Sequence, residues 1–236
     1  MRTHASWMRL LPWMTAYTIA IAFLESAVVI YLRELYYPVG FKFPVTPIAR
    51  HVAITELFRE LATMVMLLAP AAMLTMKRME RFAWFCYCFG VWDIFYYVVL
   101  KAVLDWPASL FDWDILFLVP VVWVGPVLAP CLISLGLIAL GVILLEKRRS
   151  FPGFRPHYWH WIVLTVSGSI CLYTFIEEPL RFILRSGRNA TSVPAAGHLA
   201  LDQLRAYLPE HYSWGLFGLA CAGAIGTLLH LARRKG

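Results

Sequence analysis

Apolar stretches of about twenty residues or more recur six times along this chain, and no other feature restricts its fold so strongly. An α-helix rises about 1.5 Å per residue, so roughly twenty residues cross the hydrocarbon layer of a bilayer. The stretches are 11–37, 52–76, 80–104, 114–145, 157–182 and 212–232. Composition points the same way. Of 236 residues, 61% are hydrophobic and 15% charged, whereas a water-soluble domain carries about 25% charged and about 45–50% apolar residues. The expectation is an all-α, polytopic membrane helix bundle forming a single integral membrane domain over residues 1–236. A soluble globular fold is excluded.

The connections between these stretches divide by charge. One set comprises the N-terminus, the turn at 77–81, the loop 146–156 and the C-terminal tail, and it holds twelve Lys or Arg. The other comprises 38–51, 105–113 and 183–211, with five: Lys42, Arg50, Arg185, Arg188 and Arg205. By the positive-inside rule both termini are expected in the cytoplasm and the protein in the cell membrane. The formal net charge of +7 is therefore a topology signal. Nucleic acid, which needs a basic face on a soluble module, is not an expected partner; the lipid bilayer is. Although the first stretch resembles a signal peptide, its apolar character resumes after Glu25, and we expect it to be retained as a span.

Three segments carry more local expectations. The fourth stretch is long and contains Pro120, Pro126 and Pro130; proline removes a backbone donor and disfavours helix in the residue before it, so residues 114–124 are expected to form a short broken helix ahead of the span proper. Within the loop 183–211, Leu201, Leu204 and Leu208 share one helical face, which predicts a short amphipathic helix on the membrane surface. On the last span Gly218, Ala222 and Gly226 recur every four residues, a pattern that lets helices approach closely within the chain or between subunits of a homo-oligomer. All five cysteines lie inside apolar runs and read as packing residues rather than a disulfide framework.

The polar residues inside the spans carry the functional information. Span one places Glu25 near mid-depth and Arg33 and Glu34 near its outer end. Span two carries Glu56, Arg59, Glu60 and Thr63 at intervals of three and four, which is a single stripe. Span three brings Asp93 to mid-depth, followed by Tyr96, Tyr97 and Lys101. An ionised side chain at the bilayer centre costs about 2.5–3.5 kcal/mol even on a lenient scale, so these groups are expected to face one another inside the bundle or an outward-opening cavity. Counting Glu25, Glu34, Glu56, Glu60 and Asp93 against Arg33, Arg59 and Lys101 leaves acid in surplus. Either some carboxyls keep a proton, or a cation occupies the gap.

Much recognisable chemistry is absent from the sequence. An intramembrane bis-histidine haem needs facing histidines at depth, but His4, His157, His160 and His230 fall near inner ends and His51, His198 and His211 near outer ones. His157 and His160, set among Tyr158, Trp159 and Trp161, read as an interfacial anchor. The Glu-x-x-His motif of di-iron bundles is missing, as are GxSxG, HExxH and phosphate-loop patterns. No cofactor is therefore named by the sequence. Trp106 and Trp113 are placed by an interfacial aromatic belt, while Trp92, Tyr96 and Tyr97 lie deeper, where they suit either core packing or a flat, lipidic ligand.

The leading expectation is an inner-membrane protein whose carboxylate and arginine pocket binds a small or lipidic ligand, a proton or a cation, as part of a redox or transport assembly. Its binding residues would be Glu25, Arg33, Glu56, Arg59, Glu60, Asp93, Tyr96 and Tyr97. Two other classes fit the same residues: an intramembrane lipid-modifying enzyme using a carboxylate or a metal, and a scaffold whose polar network only fixes helix register.

Overall fold

The structure is a computed structural model, and it describes residues 7–46, 48–118, 122–151, 153–189 and 207–234. Six helices account for most of them: α1 (Trp7–Tyr36), α2 (Arg50–Leu74), α3 (Arg78–Leu104), α4 (Leu128–Ser150), α5 (Tyr158–Asn189) and α6 (Trp214–Arg233). Each is long and apolar enough to cross a membrane. Between α3 and α4 lies a two-stranded antiparallel hairpin, β1 (Trp113–Phe117) and β2 (Trp123–Pro126).

The helices present apolar side chains outward as well as into the core, and most of the charged residues within the spans are turned inward. On α2 the buried residues are Ala53, Glu56, Glu60, Thr63, Leu67 and Ala71, spaced by three or four as one helical face requires. The opposite face presents Phe58 and Val65, which are 64% and 65% exposed. Such a surface is stable only against lipid, because exposed apolar area is costly in water at about 25 cal/mol per Å². Chain direction alternates along the bundle. One end gathers the start of α1, the α2–α3 turn, the α4–α5 loop and the end of α6: Trp7 donates to Glu146 at 3.2 Å, and Lys147 donates to the Arg234 carbonyl at 2.6 Å. The other end gathers the hairpin and the remaining connections, where Phe111 meets Trp214 with ring centroids 5.9 Å apart.

Helix α3 is the most enclosed of the six and packs against α1, α2 and α4. Its approach to α4 depends on two glycines. A Cβ at Gly90 would collide with the Ser134 carbonyl oxygen, and a Cβ at Gly141 would stand 2.6 Å from that of Ala83. The close small-residue contact of this bundle is therefore α3 on α4. The stripe expected to pack on the last span has a different place: nothing lies within 4 Å of a Cβ built at Gly218 or Gly226, and α6 meets α5 through Gly223 instead.

The fourth stretch also departs from expectation. The described residues of 114–124 lie mainly in strands rather than in a broken helix. The strands of the hairpin pair Asp114 with Gly125 and Ile115 with Val124, with a bulge between Ile115 and Phe117, and α4 begins only at Leu128. The reason lies in the residues. Trp113, Ile115, Phe117, Trp123 and Val124 are aromatic or β-branched types that favour strands, and β2 ends at Pro126. Pro130 sits in the first turn of α4, where its missing N–H has no partner to lose. The expected amphipathic helix lies largely outside the described residues; of its last residues, Tyr207 is buried beside Val45, Val122 and Val124.

Candidate functional site

The site forms where the inner faces of α1, α2 and α3 meet the hairpin. The three- and four-residue spacing on α2 turns Glu56, Arg59 and Thr63 toward α1, whose buried face carries Glu25. The Arg59 guanidinium pairs with both acids: it contacts Glu25, and it reaches Glu56 Oε2 at 2.7 Å through Nη2 and 2.8 Å through Nε. Thr63 donates to Glu25 Oε2 at 2.8 Å. One cation thus holds two carboxylates, and a hydroxyl takes a further lone pair of Glu25.

A second ion pair joins α1 to the hairpin. Arg33 Nη2 donates to Asp114 Oδ1 at 3.0 Å with both side chains buried. Its guanidinium lies 3.7 Å from the Trp106 ring centroid and 4.5 Å from that of Phe41, a desolvated cation–π arrangement. Trp106 is therefore part of the site, not only a member of an interfacial belt. Burial pushes the Asp114 carboxyl above its ordinary value, while Arg33, the Ile115 amide and the Tyr97 hydroxyl oppose that rise. Glu34, the neighbour of Arg33 on α1, is exposed.

Two more acids are held by neutral donors. Glu60 accepts the Leu118 amide, 3.0 Å from each carboxylate oxygen, and so ties α2 to the end of β1. Asp93 accepts the Ser134 hydroxyl at 2.8 Å, a contact made possible one turn away by the absent Cβ at Gly90. Tyr96 is within electrostatic reach of Arg33, Arg59, Asp93 and Asp114, and its ring meets that of Tyr97 at 5.0 Å. The structure thus draws Glu25, Arg33, Glu56, Arg59, Glu60, Asp93, Tyr96 and Tyr97 into one region. It adds Asp114, Thr63, Ser134 and Trp106. It leaves Lys101 outside, paired with exposed Asp105 at 2.7 Å.

Asp114 was not singled out from the sequence; the signal that would have placed it on a strand is the aromatic and β-branched character of its neighbours Trp113, Ile115 and Phe117. With Asp114 included and Glu34 and Lys101 removed, the buried cluster contains Glu25, Glu56, Glu60, Asp93 and Asp114 against Arg33 and Arg59. Among the described residues no group of three or more His, Cys, Asp or Glu is arranged to hold a metal ion.

Other polar groups lie apart from this cluster. At the same end of the bundle a cavity of about 400 Å³ opens between α5 and residues 207–213, lined in part by Glu177, Glu178, Arg181, Tyr207 and His211; none of the five cluster acids borders it. Glu178 accepts the Tyr207 hydroxyl at 2.7 Å and the amides of Glu210 and His211, each at 3.1 Å. Burial and the Glu178 carboxylate push the Tyr207 phenol up. At the opposite end His160 is not a surface anchor. It is fully buried, and its Nε2 lies 3.0 Å from His230 Nδ1, so the two rings share a hydrogen bond across α5 and α6. No family profile, curated protein or solved structure matches this chain.

Proposed function

We propose that this multi-pass membrane protein uses the cluster around Arg59, Arg33 and Asp93 to bind and exchange protons, in concert with a small or lipidic ligand or a cation that reaches it from the outer end. The observation that carries this reading is the charge imbalance. Among the described residues five buried carboxyl groups lie with two arginines, and full ionisation of these groups would leave three negative charges in excess in a desolvated region. Each would cost about 2.5–3.5 kcal/mol at the bilayer centre on the lenient scale. The arginines already engage Glu25, Glu56 and Asp114, whereas the hydrogen bond of Asp93 comes from a neutral hydroxyl. Asp93 is therefore the group assigned to carry the exchangeable proton. The separate anchoring of the acids favours protons over a multidentate metal.

In this reading Arg33 and Arg59 position the acids, and Tyr96 and Tyr97 line the path between them. The basic end of the bundle lies in the cytoplasm, with both termini, and the acidic end faces outward across the cell membrane. The exposed stripe Gly218, Ala222 and Gly226 is the surface available to a second subunit or a membrane partner. A purely structural network is the alternative, favoured by the direct pairing of both arginines.

Infrared difference spectroscopy of the purified protein, between about pH 5 and pH 9 where buried carboxyls titrate, separates the two. A protonated-carboxyl band that titrates and is removed by Asp93→Asn is the expected result. Complete ionisation across that range, with no bound cation by elemental analysis, would overturn the proposal and leave the structural network.

A further inference from the structure

The opposite end of the bundle holds a second, independent feature. A cavity of about 520 Å³ lies between the α2–α3 turn and the α4–α5 loop, lined by Lys77, Arg78, Met79, Arg148, Phe154, Arg155, Pro156 and Trp161. Four of these are cationic. The acid beside them is Glu80, which pairs with Lys77 at 3.0 Å, stands 3.9 Å from Arg148 Nε and accepts the Thr75 hydroxyl at 2.9 Å. The positive charge of the lining therefore exceeds its local compensation by about three.

The cavity has fixed walls and a free charge surface. Arg148 Nη1 donates to the Phe154 carbonyl at 3.2 Å, which holds the loop against α4, and Arg148 Nε is buried without a hydrogen bond. Arg234 adds a donor to the Arg155 carbonyl at 3.5 Å and lies 5.8 Å from the Phe154 ring. Lys77, Arg78 and Arg155 are exposed; the heads of Arg78 and Arg155 are available to a ligand, and that of Lys77 is shared with Glu80. The first turn of α3 opens at Lys77, whose side chain does not cap it, and its amide donors add to the anion-attracting field. Phe154 and Met79 supply an apolar floor. Trp161, which meets Phe82 edge-on at 5.4 Å, is a residue type suited to the level of lipid headgroups.

We propose that this cavity binds a phosphate group, with the phosphomonoester headgroup of an anionic lipid as the source that matches its surroundings. Three exposed cations and the half-buried Arg148 meet the charged oxygens, while the apolar floor meets the glycerol and the first acyl carbons. Basic pockets between transmembrane helices recognise lipid phosphates by the same physics. This site stands apart from the carboxylate cluster, so its failure would leave the proton-exchange proposal untouched.

Native mass spectrometry of the full chain in detergent tests the site, with titrations of dioleoyl phosphatidic acid, dioleoyl phosphatidylcholine and inorganic phosphate. Phosphatidic acid should bind well ahead of phosphatidylcholine. The combined Lys77→Ser, Arg78→Ser and Arg155→Ser variant, with unchanged helical content by circular dichroism, should weaken it by roughly fivefold for each cation removed. Inorganic phosphate that displaces the lipid at comparable concentration would confirm the phosphate site and assign it to a free anion. Equal binding of both lipids, undiminished binding by the triple variant, or an equal loss in a control Lys42→Ser, Arg50→Ser variant would overturn it.

Discussion

Arg59 illustrates how one side chain organises several others. It is the common partner of Glu25 on α1 and Glu56 on α2, and its backbone carbonyl accepts the Thr63 hydroxyl that also reaches Glu25. Deleting the cation leaves two buried carboxylates facing each other, a loss worth roughly 3–5 kcal/mol for a broken buried pair. Arg59→Met is expected to lower the unfolding midpoint in detergent correspondingly, and Arg59→Met combined with Glu25→Gln and Glu56→Gln to recover much of it. An unchanged midpoint in the single variant would refute the network. The residue-level reading from sequence was accurate in the stripe itself, because i, i+3 and i, i+4 spacing dictates a shared helical face. It did not reach the partner of Arg33, because Asp114 lies 81 residues away and no local periodicity encodes that distance.

At the level of elements, the α3–α4 pair decides where the acids sit. Gly90 and Gly141 bring the two backbones together, and this proximity sets Ser134 beside Asp93. Gly90→Ala should destabilise the bundle by about 1–3 kcal/mol, the usual penalty for overpacking, because the clash is with backbone. Gly218→Ala should be neutral or stabilising by up to about 1 kcal/mol, since alanine is the better helix former and open space surrounds that position. Thermal unfolding of the two variants side by side measures the contrast; a Gly90→Ala protein as stable as wild type would show that the helices are less tightly apposed. The hairpin is the element that hydrophobicity alone hid. An apolar run such as Trp113–Pro126 has no period that separates a buried strand from a buried helix, and the arbiters are its aromatic and β-branched residues and its prolines.

For the molecule as a whole, charge is segregated along the bundle. Lys77, Arg78, Arg81, Lys147, Arg148, Arg149, Arg155, Arg233 and Arg234 gather at one end, while the hairpin, Asp114 and the acidic residues of α2 gather toward the other. The positive-inside rule then predicts cytoplasmic termini. In intact cells a phosphatase active only in the periplasm, fused after Gly236, should be silent, and the same enzyme inserted at Ser109 in the α3–α4 connection should be active. The opposite pattern would invert the orientation and, with it, the side from which the carboxylate cluster is reached.

What the sequence determined by itself was the number of long apolar helices, six, the position of five of them to within a few residues at most ends, and the helical stripe that carries Glu56, Arg59, Glu60 and Thr63. Both follow from local physics: the length of apolar chain a bilayer demands and the 3.6-residue period of the helix. Only the tertiary structure decided that Arg59 reaches across to Glu25, that Asp114 rather than Glu34 neutralises Arg33, that Trp106 stacks on that arginine, and that His160 meets His230. These are contacts between segments distant along the chain, selected by which helix faces can approach. That approach rests on backbone contacts at Gly90 and Gly141 and on a hairpin whose register places Asp114 opposite Gly125, neither of which is written in the hydrophobic pattern.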